Sequence, residues 1–106
     1  GTKRATFAPN IVKPGTYEIY ATWPAGGNRR NPITYKVTDS TGTTEYHLDQ
    51  TTDANQWNKL GGTWEFDAGT GNTVEVSNED IDVSGSFYPG GIKFVLISAA
   101  VRWELY

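Results

Sequence analysis

Apolar and polar residues alternate with a period of two along almost the whole chain, and this limits what it can fold into more than any other feature. In Thr16–Trp23, Tyr17, Ile19, Ala21 and Trp23 share one face, and Glu18, Tyr20 and Thr22 share the other. Ile33, Tyr35 and Val37 alternate with Thr34, Lys36 and Thr38, and Tyr46 and Leu48 with Glu45, His47 and Asp49. Between these runs, Asp39-Ser40-Thr41-Gly42 places turn formers where a hairpin loop needs them. Trp64 and Phe66 flank Glu65, then Gly69-Thr70-Gly71-Asn72 turns the chain into Thr73–Ser77, with Val74 and Val76 facing in. No segment carries an apolar stripe at helical spacing. The expected fold is therefore all-β, an antiparallel two-sheet β-sandwich of jelly-roll type.

The last segment departs from clean alternation. Phe94-Val95-Leu96-Ile97 is apolar on both faces, and Val95, Ile97, Ala99, Val101, Trp103 and Leu105 continue one of them. Such a strand is either central and covered or exposes a patch to a partner, and coverage is the commoner outcome.

At 106 residues the chain is one domain, spanning 1–106. It opens on Gly1-Thr2 and contains no Met, so the sequence reads as an accessory module excised from a larger protein. A formal charge of −3 argues against a nucleic-acid surface, which is normally basic. No apolar run approaches a membrane span. The absence of Cys excludes disulfides, thiol catalysis and thiolate metal sites. A monomer is expected.

Several strings along the chain resemble those of a known family. They run from Gly15-Thr16-Tyr17-Glu18-Ile19-Tyr20-Ala21-Thr22-Trp23-Pro24 through Arg30-Asn31-Pro32-Ile33-Thr34-Tyr35-Lys36-Val37 and Leu48-Asp49-Gln50. Gln56-Trp57-Asn58-Lys59-Leu60-Gly61, Phe66-Asp67-Ala68-Gly69, Val74-Glu75-Val76-Ser77-Asn78 and Ala100-Val101-Arg102-Trp103 follow. In order and spacing the set resembles the golvesin C-terminal-like domain, also found at the ends of bacterial xanthan lyases and other secreted polysaccharide-degrading enzymes. The resemblance implies a β-sandwich accessory module that binds carbohydrate, secreted or at the cell surface, in a chain with an attached catalytic domain. It carries over no binding-residue motif. Where the family has Asp ahead of the Ala-Val-Arg-aromatic string, this chain has Ala99, and only Gly1–Val12 stands in for the family's glycine-rich first stretch, which leaves the first strand short.

Catalytic constellations are weak. His47, between Glu45 and Asp49 on a polar strand face, has the residue types of a general base but reads as a surface histidine. No nucleophile-elbow sequence is present, and a small sandwich seldom forms the cleft that paired carboxylates need for glycoside hydrolysis. The expectation is no enzyme activity. Asn78-Glu79-Asp80-Ile81-Asp82 has oxygens for structural calcium, but the spacing matches no EF-hand loop and solvated charge explains it. No cofactor is expected.

Aromatic residues are the most informative for binding, because sugar rings present flat C–H faces to indole and phenol. Alternation assigns Tyr17, Tyr35, Tyr46, Trp64, Phe66 and Trp103 to the core, and Gln50 to a buried, backbone-bonded role. Trp23 ends its inward run beside Pro24, Trp57 has polar neighbours, Tyr20 faces outward, and Tyr88 lies in a glycine-rich loop. Asn28, Arg29, Arg30 and Asn31 form a loop whose guanidinium forks and amides suit an anionic glycan; a solvated connection with Arg30 paired to a carboxylate is the equal alternative. The expected ligand-binding set is Asn28, Arg29, Arg30, Asn31, Trp57, Asn58, Tyr88 and Trp23, on loops at one end of the sandwich. The alternative function is a structural or adhesive spacer that packs on a neighbouring domain.

Overall fold

The computed structural model describes residues 3–26, 31–79 and 89–99. Within them the chain forms β1 (Arg4–Phe7), β2 (Gly15–Thr22), β3 (Ile33–Asp39), β4 (Gly42–Leu48), β5 (Asn58–Lys59), β6 (Trp64–Phe66), β7 (Thr73–Ser77) and β8 (Gly91–Ala99), with no helix among the described residues. All pairings are antiparallel and make two sheets. The first has the order β1-β7-β3-β4. The second is built on β2: β8 runs along one edge from Gly15 to Thr22, so β5, opposite Tyr20 and Ala21, and β6, opposite Gly15 to Tyr17, share the other edge.

The alternation read from the sequence decides which faces meet. Tyr17, Ile19, Ala21, Ile33, Tyr35, Val37, Trp64, Phe66, Val74 and Val76 are all buried in one core between the sheets. Tyr17 stacks on Phe66 with ring centroids 5.2 Å apart, and Tyr46 meets Trp64 edge-on at 5.5 Å. Trp64 Nε1 also donates to Thr44 Oγ1 at 3.0 Å, so one indole joins β6 of the second sheet to β4 of the first. Burial pushes the Tyr35 phenol up to about 12. Gln50 is buried as expected, and its amide donates to the Tyr35 hydroxyl at 3.1 Å.

The hairpin over Asp39–Gly42 forms as expected, pairing Ile33 with Leu48 through to Asp39 with Gly42. Asp39 Oδ1 accepts from the Thr41 amide at 2.9 Å and its hydroxyl at 2.8 Å, the side-chain turn that makes Asp a favoured turn residue. The tip also latches the other sheet: the Ser40 amide and hydroxyl donate to the Glu65 carbonyl, and the Glu65 amide donates to Asp39 Oδ2 at 3.1 Å. The short first strand is present as β1, paired to β7 from Arg4–Ser77 to Phe7–Val74.

β8 departs from its expected pattern. Ile92, Phe94 and Leu96 pack on the core, whereas Ile97 is 53% exposed. The pairing with β2 steps from Tyr17–Leu96 to Thr16–Ser98, so Ile97 is an inserted bulge residue and the side-chain parity reverses there. Val95 and Ile97 therefore do not share an inward face with Ala99, which returns to register opposite Gly15. Among the described residues β8 pairs with β2 alone. Trp103 lies outside the described residues.

The outer face of the first sheet is a network of charges. Arg4 Nη1 lies 2.9 Å from both Glu75 and Glu79, Lys36 Nζ lies 3.0 Å from Glu79 and 3.9 Å from Glu45, and His47 Nε2 lies 3.2 Å from Glu45. Hydrogen bonds from Lys36, Arg4 and Ser77 hold the Glu79 carboxyl down to about 2, from an ordinary value of 4.5. A depressed carboxylate stabilises the fold fully above its unfolded value and loses that contribution as pH falls through its folded one. Its partners are partly exposed, so screening limits the contribution to about 1 kcal/mol. At pH 7 wild type should therefore exceed Glu79→Gln by about 1 kcal/mol in urea denaturation, with the gap shrinking from pH 4.5 toward pH 2. A gap independent of pH would show that Glu79 stabilises the fold by packing alone.

Candidate functional site

Three connections leave the same end of the sandwich: between β2 and β3, between β4 and β5, and between β7 and β8. Trp23 ties this end together. Its carbonyl accepts from the Asn55 amide at 2.9 Å, and its Nε1 donates to the Thr52 carbonyl at 3.1 Å. At 2% exposure its ring belongs to the core, so among the expected ligand-binding residues it acts as an anchor for the β4–β5 connection and offers no face for stacking.

That connection is shaped by its polar side chains. Asp49 Oδ1 accepts from both the amide and the hydroxyl of Thr51, and Asp53 and Asn55 adopt left-handed backbone conformations at φ 54° and 60°. Asp and Asn tolerate this region better than other side chains. Asn58 donates its amide to the carbonyls of Asp53 at 3.0 Å and Gln56 at 3.3 Å, so it holds the loop in shape around Trp57. Trp57 itself is 46% exposed, with Val12 and Ile97 the other large apolar side chains so placed among the described residues.

Trp57 does not stand alone. It borders the outer face of the second sheet, where Tyr20 of β2 is flanked by Lys59 of β5 and Lys93 of β8. The Lys93 ammonium lies 4.7 Å from the centroid of the Trp57 ring and 4.9 Å from that of Tyr20, within cation–π range of both. The Tyr20 hydroxyl donates to Glu18 Oε1 at 2.9 Å, which raises the phenol pKa. Glu18 in turn lies 3.6 Å from Lys59 Nζ. The result is a shallow sheet surface with two aromatic rings, a lysine between them and a carboxylate–lysine pair alongside.

Glycines bring β8 into place beneath Trp57. A Cβ at Gly91 would sit 3.4 Å from the Thr22 methyl and 3.8 Å from Trp57 Cη2, so the indole packs beside a residue without a side chain. Gly90, at φ +67°, approaches β2 so closely that a Cβ there would lie 1.9 Å from the Thr22 carbonyl oxygen.

Of the expected site residues, the structure brings Trp57 and Asn58 together, Asn58 as a support. Asn31 is exposed near the start of β3 and is not among the contacts around Trp57. Asn28, Arg29, Arg30 and Tyr88 lie outside the described residues. Sequence reasoning noted the outward Tyr20 but passed over Lys93 and Lys59. The signal was Lys93 itself, a lone charge in an apolar strand. Glu79, read as solvated charge in an acidic stretch, is engaged by Arg4 and Lys36, and Asp80–Asp82 lie outside the described residues.

Residues 1–95 match the family described as the Golvesin C-terminal domain. This chain belongs to that family. The chain is also 37% identical over 98 residues to a xanthan lyase of Bacillus sp. (strain GL1), covering 92% of this chain and 10% of the lyase. A solved structure of Paenibacillus xanthan lyase superposes with a TM-score of 0.73 at 30% identity, over 92% of this chain and 9% of that one. The domain thus corresponds to about a tenth of the length of these lyases, as an accessory module would.

The close approach at Gly90 makes the site sensitive to one methyl group. Gly90→Ala should cost more than about 1 kcal/mol, because both the positive φ and the Thr22 carbonyl oppose a Cβ. Gly71→Ala, where a Cβ meets nothing within 4 Å, should stay within about 0.5 kcal/mol of wild type in the same urea titration. Equal stability of the two variants would mean that the strand entering β8 is not held against β2.

Proposed function

We propose that this domain is a non-catalytic polysaccharide-binding module of a secreted or cell-surface polysaccharide-degrading enzyme, and that it binds through the Trp57 end of the second sheet. The observation that carries the proposal is the exposed Trp57 indole, held by a loop whose side-chain hydrogen bonds fix its shape. An exposed ring in a well-braced setting gives a sugar a flat stacking surface at low entropic cost. A shallow surface also suits an internal stretch of a long polymer. Two relatives are xanthan lyases, which makes xanthan the first polymer to try. Tethering to an enzyme would raise the local concentration of substrate, so modest affinity suffices.

A spacer that packs on a neighbouring domain is the second reading. It draws support from the exposed Ile97 on β8. Affinity electrophoresis through xanthan separates the two. Wild-type domain should be retarded, and Trp57→Ala should lose about 30-fold in affinity, on the order of 2 kcal/mol, with its melting curve little changed. No retardation of the wild type would favour the spacer reading.

A further inference from the structure

One cation on the proposed binding face has no carboxylate counterpart among the described residues. Arg4 and Lys36 on the opposite sheet are each paired with two carboxylates, and Lys59 has Glu18 at 3.6 Å and the Gly62 carbonyl at 3.0 Å. That cation is Lys93, held between the rings of Tyr20 and Trp57, at 4.9 and 4.7 Å. Two described carboxylates at this end are engaged elsewhere: Glu18 by the Tyr20 hydroxyl and Lys59, and Asp53 by Gln56 and Thr52. A π face attracts an ammonium but does not saturate its N–H donors, which stay available to an anion arriving from solvent.

From this arrangement we infer that the face binds sugars bearing a carboxylate, with the Trp57 indole against the sugar ring and the Lys93 ammonium on the carboxylate. The assignment rests on the polysaccharide-binding reading above and adds the chemical class of the ligand. A charge-assisted hydrogen bond is shorter and roughly twice as strong as one between neutral groups, so a carboxylate would be preferred over a hydroxyl at the same position. The rings keep the ammonium in place before the ligand arrives, which reduces the ordering cost of a long, flexible side chain.

The test compares native xanthan with xanthan treated by carbodiimide and borohydride, which converts carboxylates to alcohols. Calorimetry or affinity electrophoresis is run on wild type, Lys93→Gln, Lys93→Arg and Trp57→Ala, each first checked for native folding by circular dichroism. Wild type should bind the native polymer about tenfold more tightly than the reduced one. Lys93→Gln should lose about tenfold on the native polymer and less than twofold on the reduced one, while Lys93→Arg retains most of the preference. Equal affinity of wild type for the two polymers, or an equal loss by Lys93→Gln on both, would overturn the carboxylate assignment. If Trp57→Ala loses binding to both polymers and Lys93→Gln binds as wild type does, polysaccharide binding stands and the carboxylate assignment falls. If wild type binds neither polymer, both readings fall.

Discussion

The second sheet and the surface it presents depend on the register of a single strand. β2 carries β8 along one edge and β5 and β6 along the other, so its side-chain parity is imposed on three neighbours. With Tyr17, Ile19, Ala21 and Trp23 inside, Glu18 and Tyr20 must face outward, and the partners of Tyr20 are then Lys59 and Lys93. A slip of one residue would expose Ile19 and bury Glu18, which the core would not tolerate. The aromatic and basic character of the outer surface is thus a consequence of burying four apolar side chains.

The two outer faces use charge in opposite ways. On the first sheet Arg4, Glu75, Glu79, Lys36, Glu45 and His47 satisfy one another across adjacent strands. On the second, Lys93 lies against ring faces and has no carboxylate partner among the described residues, and Trp57 is left open. Self-paired charge gives a solvated wall. A ring-held cation beside an exposed indole gives a surface with unmet capacity, which is why the proposed site lies there.

Much of this was legible from side-chain alternation. The core rings Tyr17, Tyr35, Trp64 and Phe66, and the hairpin at Asp39–Gly42, follow from period two and from turn chemistry that local sequence carries. The reading failed where one residue breaks the period. The bulge at Ile97 reverses parity, so a face traced backwards from Ala99 through Ile97 to Val95 crosses from one side of the sheet to the other. Nothing in Phe94–Ile97 marks the insertion, because both sides of that run are apolar. Trp23 and Asn58 were legible as residues at a loop but not in their roles. Whether an indole at a strand end points into the core, or an amide braces its own loop, depends on contacts with Thr52, Asp53 and Gln56 that only the folded chain supplies. Lys93 and Tyr20 come together through strand pairing across 73 positions of sequence, which no local pattern encodes.

The most direct test of where this domain meets its ligand is a two-dimensional ¹H–¹⁵N titration of the labelled domain with xanthan oligosaccharides. The account predicts that the Trp57 indole N–H and the amides of Tyr20, Thr22, Gly91 and Lys93 shift with ligand, while those of Thr6, Lys36 and Glu75 on the opposite face stay fixed. Shifts concentrated at Thr6, Lys36 and Glu75, with Trp57 and Lys93 unmoved, would contradict it.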